Sequence, residues 1–345
     1  MAYIIGEIGQ NHNGAIEIAK ALIDIAASPV VDEFGGEELK PLNAIKLTKR
    51  DLSQELSVSQ MNMPYNTPNS FGKTYGEHRK YLELSDEEHY ELYKYAKGKG
   101  LDFIETLCSI GCLSIMKYFS PDKIKVASRD LTNLPLLKAL AKTKIPIILS
   151  TGMSGKAELD DALNVITCYH DNISILHCLS QYPAEYKNIN LNTIHYLQEL
   201  YPKYVIGYSD HSIGISIPVA AVAMGAKIIE KHITLDRRMR GSDHKGSLGI
   251  DGLNRMVRDI RNVEYAMGEK AFFESSVVKN TKVKLERSIA TKKAMKKGDI
   301  IKEEDVHLLS PGDGFKWRDL EKVIGKMLVE DVSANEILYN KHFYL

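Results

Sequence analysis

A regular rhythm constrains this chain more than any single motif. Short apolar runs of strand length alternate with longer stretches of helical spacing, at intervals of roughly 20–30 residues. The runs fall at 3–9, 44–47, 102–106, 123–127, 145–149, 173–178, 204–206 and 228–229. Helical spacing follows most of them, at 15–27, 110–118, 134–141, 156–167, 191–200, 216–224 and 253–267. Ser85-Asp86-Glu87-Glu88 is a capping box that opens one more helix, which runs to about Lys99 and stops at Gly100. Eight strand–helix units with a closing helix predict an α/β fold, a (β/α)8 barrel over 1–268. A doubly wound open sheet is the alternative fold. It is disfavoured because no G-x-G-x-x-G follows the first run; Gly6, Gly9 and Gly14 have the wrong spacing.

Residues 269–284 lack a clear period and read as a linker. A second, small unit is expected over 285–345, with strand candidates at 300–301, 306–309 and 327–329 and a turn at Pro311-Gly312-Asp313-Gly314. Two other stretches read as irregular: 30–41, acidic and holding Gly35-Gly36, and 61–79, rich in Asn, Pro, Gly and Tyr. The latter is a long loop of the kind that often carries function.

Lys plus Arg and Asp plus Glu are both 45, so no global field draws nucleic acid or an anionic membrane. The amino terminus lacks the basic and apolar segments of a signal peptide, and no run approaches the roughly 18 apolar residues of a membrane span. Four scattered cysteines make no disulfide framework, and Cys108 with Cys112 lacks a second pair to complete a zinc site. Reduced, packed thiols in a cytoplasmic protein are expected.

In a barrel of this kind the polar residues at strand carboxyl ends make the site. Those residues are Glu7, Lys46, Thr106, Lys125, Ser128, Ser150, Ser180, Tyr182, Ser209, His211, His232 and Asp243. Two lysines and several hydroxyls on converging loops suit a carboxylate or phosphate ligand. Two histidines at adjacent strand ends suit a divalent metal, and Glu7 suits proton transfer. A plainer reading stands beside each of these. Ser128, Ser150 and Ser209 are also where helix N-caps fall, and the histidines are also compatible with a cap and a core residue. Lys49 and Arg50 are expected in solvent, and His12, in a turn, is expected exposed.

With these residues assembled, the chain resembles the sialic acid (nonulosonic acid) synthase family. The segments that carry the likeness are Glu7-Ile8-Gly9-Gln10-Asn11-His12-Asn13-Gly14, Lys125-Val126-Ala127-Ser128, Leu149-Ser150-Thr151-Gly152-Met153 and Gln181-Tyr182-Pro183. Gly207-Tyr208-Ser209-Asp210-His211, Glu230-Lys231-His232-Ile233-Thr234-Leu235-Asp236 and Gly241-Ser242-Asp243-His244 complete them. After about 285 the likeness is to the antifreeze-like (SAF) domain of the same family. The resemblance implies condensation of phosphoenolpyruvate with the open-chain aldehyde of a hexosamine such as N-acetylmannosamine. The products are a nine-carbon 2-keto acid and phosphate. It implies a divalent metal, Mn2+ before Mg2+ or Co2+, on His211 and His232. Lys46, Thr106, Lys125 and Ser128 fall on positions that hold phosphoenolpyruvate, with Ser150, Ser180 and Ser209 as further contacts. Glu7, Tyr182 and Asp243 fall on sugar or proton-handling positions, and Asp130 stands where the family commonly has a catalytic Glu. A domain-swapped homodimer is also implied.

The chain departs from the family pattern in three places. Leu47-Thr48 replaces Phe-Gln after Lys46, the acidic link at 31–41 is longer, and Ser310 replaces an arginine that contacts the sugar's acyl-amino group. These departures point to a differently decorated acceptor, of legionaminic, pseudaminic or deaminated type, or to Arg318 supplying the contact. A related synthase acting on deoxy-sugar phosphates is the nearest rival. It needs an arginine-rich phosphate pocket that these strand ends do not offer. A non-catalytic sugar- or ice-binding protein built on the small unit is a second rival.

Overall fold

The computed structural model describes residues 1–32, 36, 38–39, 41–269 and 276–343. The chain forms two compact units, Met1–Gly268 and Glu269–Leu345. In the first, eight parallel strands close into a barrel. They are β1 (Tyr3–Gly9), β2 (Ala44–Lys49), β3 (Asp102–Leu107), β4 (Lys123–Val126), β5 (Ile147–Ser150), β6 (Ile173–Cys178), β7 (Val205–Asp210) and β8 (Ile228–His232). Consecutive strands are neighbours, and β8 pairs with β1, from Tyr3↔Ile228 to Glu7↔His232. The open-sheet alternative is therefore excluded.

Strand alternation sorts the side chains into two sets. Ile5, Ala44, Ile104, Ile148, Leu176 and Ile228 point inward and form a closed apolar plug. Their neighbours, among them Ile4, Ile45, Phe103, Ile147, Ile175 and Ile229, point outward into the much larger core shared with the helices. Two residues beyond each plug position the inward side chain becomes polar or reactive: Glu7, Lys46, Thr106, Ser150, Cys178 and Glu230. The plug thus seals one end of the bore and leaves a polar layer directly above it.

Some outward positions are charged, and each finds a buried partner. Glu105 meets His89 at 2.6 Å, and Lys231 meets Asp210 at 2.5 Å. Lys49, expected in solvent, is also an outward position of β2; it lies beneath a helix, 2.9 Å from Asp86 and 2.7 Å from the Leu84 carbonyl.

The helices follow the expected spacing closely. Asp86–Gly98 begins at the Ser85–Glu88 capping box, and Lys156–Thr167 and Leu134–Lys142 lie where the apolar period places them. Among the described residues no helix is long and apolar enough to cross a membrane. Several local expectations need correction. The stretch 110–118 is a 3-10 helix, Ile110–Lys117. The supposed loop 61–79 ends in a helix, Tyr75–Tyr81, because Thr74 and Glu77 form a capping box. In the acidic link, Val30–Val31 pairs with Glu38–Leu39, while the Gly35 part of its glycine pair lies outside the described residues. The segment read as linker holds a helix, Lys279–Leu285, and residues 270–275 lie outside the described residues.

The second unit packs β9 (Ser288–Thr291) antiparallel to β10 (Val306–Leu309) around Ile289, Met295, Ile301, Leu328, Val332 and Leu338. The strands expected at 300–301 and 327–329 shrink to isolated bridges, Ile300↔Met327 and Leu328↔Phe343.

His12 overturns the expectation of an exposed turn histidine. It is 2 % exposed and accepts a hydrogen bond from the Gly14 amide at 3.1 Å. Burial, with the charges of His89 and Arg50, pushes its pKa from 6.5 down to about 3. Between those values the unfolded chain holds a proton that the folded chain lacks, so stability rises with pH through that window. The His12 penalty is absent above pH 6.5 and grows as pH falls towards 3. Urea unfolding followed by circular dichroism should show the His12→Asn variant losing about 2 kcal/mol less than the parent between pH 7 and pH 5. Equal losses would show that His12 is not the group titrating.

Candidate active site

The polar layer opens into a cavity of about 250 Å³ at the carboxyl ends of the strands. Of the residues singled out from the sequence, all but Asp130 line it. Asp130 lies in the 3-10 turn Ser128–Asp130, where a step of about a third of a turn per residue separates it from Ser128. It is buried beside Arg129, with Nε 3.4 Å from Oδ2.

Four charges form the floor. Lys46 Nζ sits 2.6 Å from Glu7 Oε2 and 3.7 Å from Glu230 Oε1, while Lys125 Nζ is 3.9 Å from the same Glu230 oxygen. Lys46 donates to Thr106 Oγ1 at 3.0 Å, Lys125 to Ser150 Oγ at 2.6 Å, and Ser209 to Glu230 at 3.0 Å. These contacts follow from strand register, which places Glu7 beside Lys46, Thr106 beside Lys125 and Ser209 beside Glu230.

Burial separates the two carboxylates. It pushes Glu7 up to about 7, with Lys46 only partly opposing and Glu230 adding to the rise. Burial acts on Glu230 in the same sense, but Lys125 and Lys46 outweigh it and hold that carboxyl below its ordinary value. Of the lysines, burial lowers Lys125, whereas Lys46 stays raised because Glu230 and Glu7 overcome its burial. One carboxyl is thus fixed as a charge, and the other can exchange a proton near neutrality.

The three serines with rival cap assignments make no caps. Ser150 and Ser209 are engaged as above, and Ser128 Oγ accepts from the Gly152 amide at 3.0 Å. Ser180 converges on the same point: a Cβ on Gly152 would stand 2.6 Å from Ser180 Oγ and 2.8 Å from Ser128 Oγ.

At the mouth, the His211 and His232 rings lie with centroids 5.7 Å apart, tilted by 44°, and the Tyr182 ring lies 4.0 Å from that of His211, tilted by 35°. His211 Nδ1 lies 2.8 Å from the Leu179 carbonyl, which makes it the donor nitrogen and leaves Nε2 with a free lone pair. Burial lowers the His232 pKa and favours its neutral form; its Nδ1 is a buried atom without a hydrogen-bond partner. Among the described residues no group of three or more His, Cys, Asp or Glu is arranged to hold a metal ion. The two imidazoles nevertheless fit a divalent ion whose other positions are taken by water or substrate.

Sequence reasoning missed several lining residues. Glu230 was available from alternation alone, since Ile228 and His232 on the same strand both face inward. Arg50, expected in solvent, is held by Glu83 at 3.0 Å, and it lines the cavity with Gln10, Thr48, Arg79 and Arg129. The expectation that this mouth lacks an arginine-rich pocket is therefore corrected. No local pattern marks Arg79, which arrives from the loop helix.

Comparison with known proteins agrees with this architecture. Residues 40–272 match the NeuB family and residues 286–343 the SAF domain. The chain is 34% identical to human N-acetylneuraminate-9-phosphate synthase, over 99% of this chain and 93% of that protein. It is 35% identical to N,N'-diacetyllegionaminic acid synthase of Campylobacter jejuni, over 97% of this chain and 98% of that one. The crystal structure of N-acetylneuraminic acid synthetase from Leptospira borgpetersenii, in complex with citrate, superposes with a TM-score of 0.66 at 30% identity. That superposition covers 81% of this chain and 90% of the other.

The two hydroxyls meeting at Gly152 leave no room for a side chain. Gly152→Ala should weaken the binding of inorganic phosphate as an anionic probe, measured by calorimetry, by about tenfold. Unaltered affinity would remove Ser128 and Ser180 from the anion site.

Proposed function

Because the chain belongs to the NeuB family and carries a SAF domain, we propose that it joins phosphoenolpyruvate to an open-chain aminosugar of the N-acetylmannosamine type, giving a nine-carbon 2-keto sugar acid and phosphate. One observation carries the reading: a buried Glu7, two buried lysines and two neighbouring histidines share a single cavity. The names of the relatives, which are sialic and legionaminic acid synthases, support the same class of product.

In this reading Lys125 and the hydroxyls of Thr106, Ser128, Ser150 and Ser180 hold the phosphate and carboxylate of phosphoenolpyruvate. C3 of phosphoenolpyruvate forms the new carbon–carbon bond with the aldehyde carbon, and the aldehyde oxygen takes its proton from protonated Glu7. Water adds to C2, and Glu7 receives the proton that the water loses. Breaking the C2–O bond to phosphate, with the C2 hydroxyl proton passing to the departing phosphate, then leaves the ketone. Glu230, kept charged by the lysines, stabilises the positive charge that develops at C2. Tyr182 and Asp243, at the rim, orient the sugar hydroxyls. A divalent ion on His211 and His232, manganese first, would supply Lewis-acid polarisation of the aldehyde.

Neither route to the missing acyl-amino contact is prepared within the small unit itself. Ser310 Oγ donates to the Leu285 carbonyl at 3.0 Å, and the Arg318 side chain is 86% exposed, 4.0 Å from Asp319. The reading includes a homodimer, for which sedimentation equilibrium should return twice the chain mass; a monomer would remove it.

Phosphate release with phosphoenolpyruvate, N-acetylmannosamine and Mn2+, with product mass by mass spectrometry, tests the reaction. Chelation should abolish turnover and added Mn2+ restore it. His211→Ala and His232→Ala should each lower kcat by about a hundredfold or more. Full activity in both variants would reject the metal assignment, and no turnover with any aminosugar would reject the synthase.

A further inference from the structure

The ends of β7 and β8 alternate between two kinds of residue. Ser209, His211, Glu230 and His232 line the cavity, and between them Asp210 and Lys231 point outward, side by side in the strand register. One step nearer the plug the outward pair is Tyr208 beside Ile229, both packed in the apolar core. Charge enters this face of the two strands only at the level of the histidines.

The side chains of Asp210 and Lys231 are fully buried, with Nζ 2.5 Å from Oδ2. The same ammonium donates to the Ser212 carbonyl. Lys231 therefore grips the two residues that flank His211, while its own backbone leads directly into His232. Asp210 is used in full. Its Oδ1 accepts from the Tyr208 hydroxyl at 2.9 Å and the Ser212 amide at 3.0 Å, and its Oδ2 also accepts from the Ser212 hydroxyl at 3.0 Å. The bonds to Ser212 close a turn over His211. The His211 carbonyl in turn accepts from the Ala184 amide at 2.9 Å, and its Nδ1 donates to the Leu179 carbonyl.

A buried ion pair is a weak source of stability, since well-packed apolar side chains of similar volume often serve as well or better. What a fully satisfied polar network adds is direction, because it admits one geometry where apolar contacts admit several. The bonds of this network converge on residues 210–212 and tie them to the residue before His232. The geometry they fix is that of one imidazole relative to the other. Two imidazoles on different strands can share an ion only while that spacing is held. None of these bonds reaches Ser128, Ser150 or Ser180, which lie elsewhere around the mouth.

We infer that Asp210, Lys231 and Ser212 are positioning residues that set the spacing of His211 and His232, and so govern how tightly the protein holds a divalent ion. The inference rests on the metal assignment made above and adds the part of the fold that keeps the two ligands in place.

The test titrates the metal-free full-length protein with Mn2+ in the absence of substrate, following the free ion by electron paramagnetic resonance. Binding of inorganic phosphate is measured by calorimetry on the same samples. Lys231→Met and Asp210→Asn should each weaken Mn2+ binding by about tenfold or more, with phosphate affinity little changed. Ser212→Ala, which keeps the ion pair and removes one hydroxyl, should weaken it by about threefold and decides the outcome if the charge variants do not fold. Parent-like Mn2+ affinity in the folded variants overturns the inference and leaves the metal assignment standing. Parallel loss of Mn2+ and phosphate affinity overturns it too, by showing a general loosening of the mouth. Absence of Mn2+ binding by the parent protein overturns the inference and the metal assignment together.

Discussion

The pairing of two lysines with two glutamates inside the bore is the interaction on which the rest of the site depends. Any one of these charges buried alone would be strongly destabilising, because the apolar plug beneath and the strand walls offer it nothing in return for lost water. Together they are mutually satisfied, but only while the barrel stays closed, since they come from β1, β2, β4 and β8. Closure therefore brings these four groups to one level, and they in turn oppose any opening of the β8–β1 seam. The cost of burying them also sets their chemistry. The same desolvation acts on both carboxyls; both lysines then hold Glu230 below its ordinary value, while the charge of Glu230 keeps Glu7 close to its protonation point.

Around that floor the mouth divides by chemistry. Hydroxyls from β4 to β7 offer neutral donors, the histidines at β7 and β8 offer lone pairs, and the arc from β2 to β4 offers guanidinium forks. An anionic ligand and a longer polar one, as in the reading proposed above, would thus engage different atoms of one space. The hydroxyls converge at Gly152 because a glycine lets the backbone approach, so the tightest part of the site is made by the absence of a side chain.

The barrel and most of the site were legible in the sequence because both rest on strand periodicity. A strand end announces itself where apolar residues give way to polar ones, and inward parity follows from counting by two. What escaped depended on partners distant in the chain. Arg50 looks like a solvent residue until Glu83 is folded against it, and Lys49 until the Leu84–Asp86 corner covers it. His12 sits in a polar turn, yet neighbouring elements cover it. Asp130 is a different case: the motif is local and plain, but in the 3-10 turn Ser128–Asp130 it does not line the cavity that Ser128 lines. Glu230 was legible by parity and was overlooked because the histidine two residues on attracts the eye.

The buried pairs on the outer face of the barrel, Glu105 with His89 and Lys231 with Asp210, have a further consequence. Strands β3 and β8 carry polar groups on both faces, each matched to a different environment. A strand that slipped by one residue would carry its outer charge into the bore and its inner group into the helix layer, stranding both. Purely apolar outer faces would tolerate such an error far better. The outer pairs therefore act as a frame check on the reading of the barrel, admitting only the alignment in which the polar layer is level.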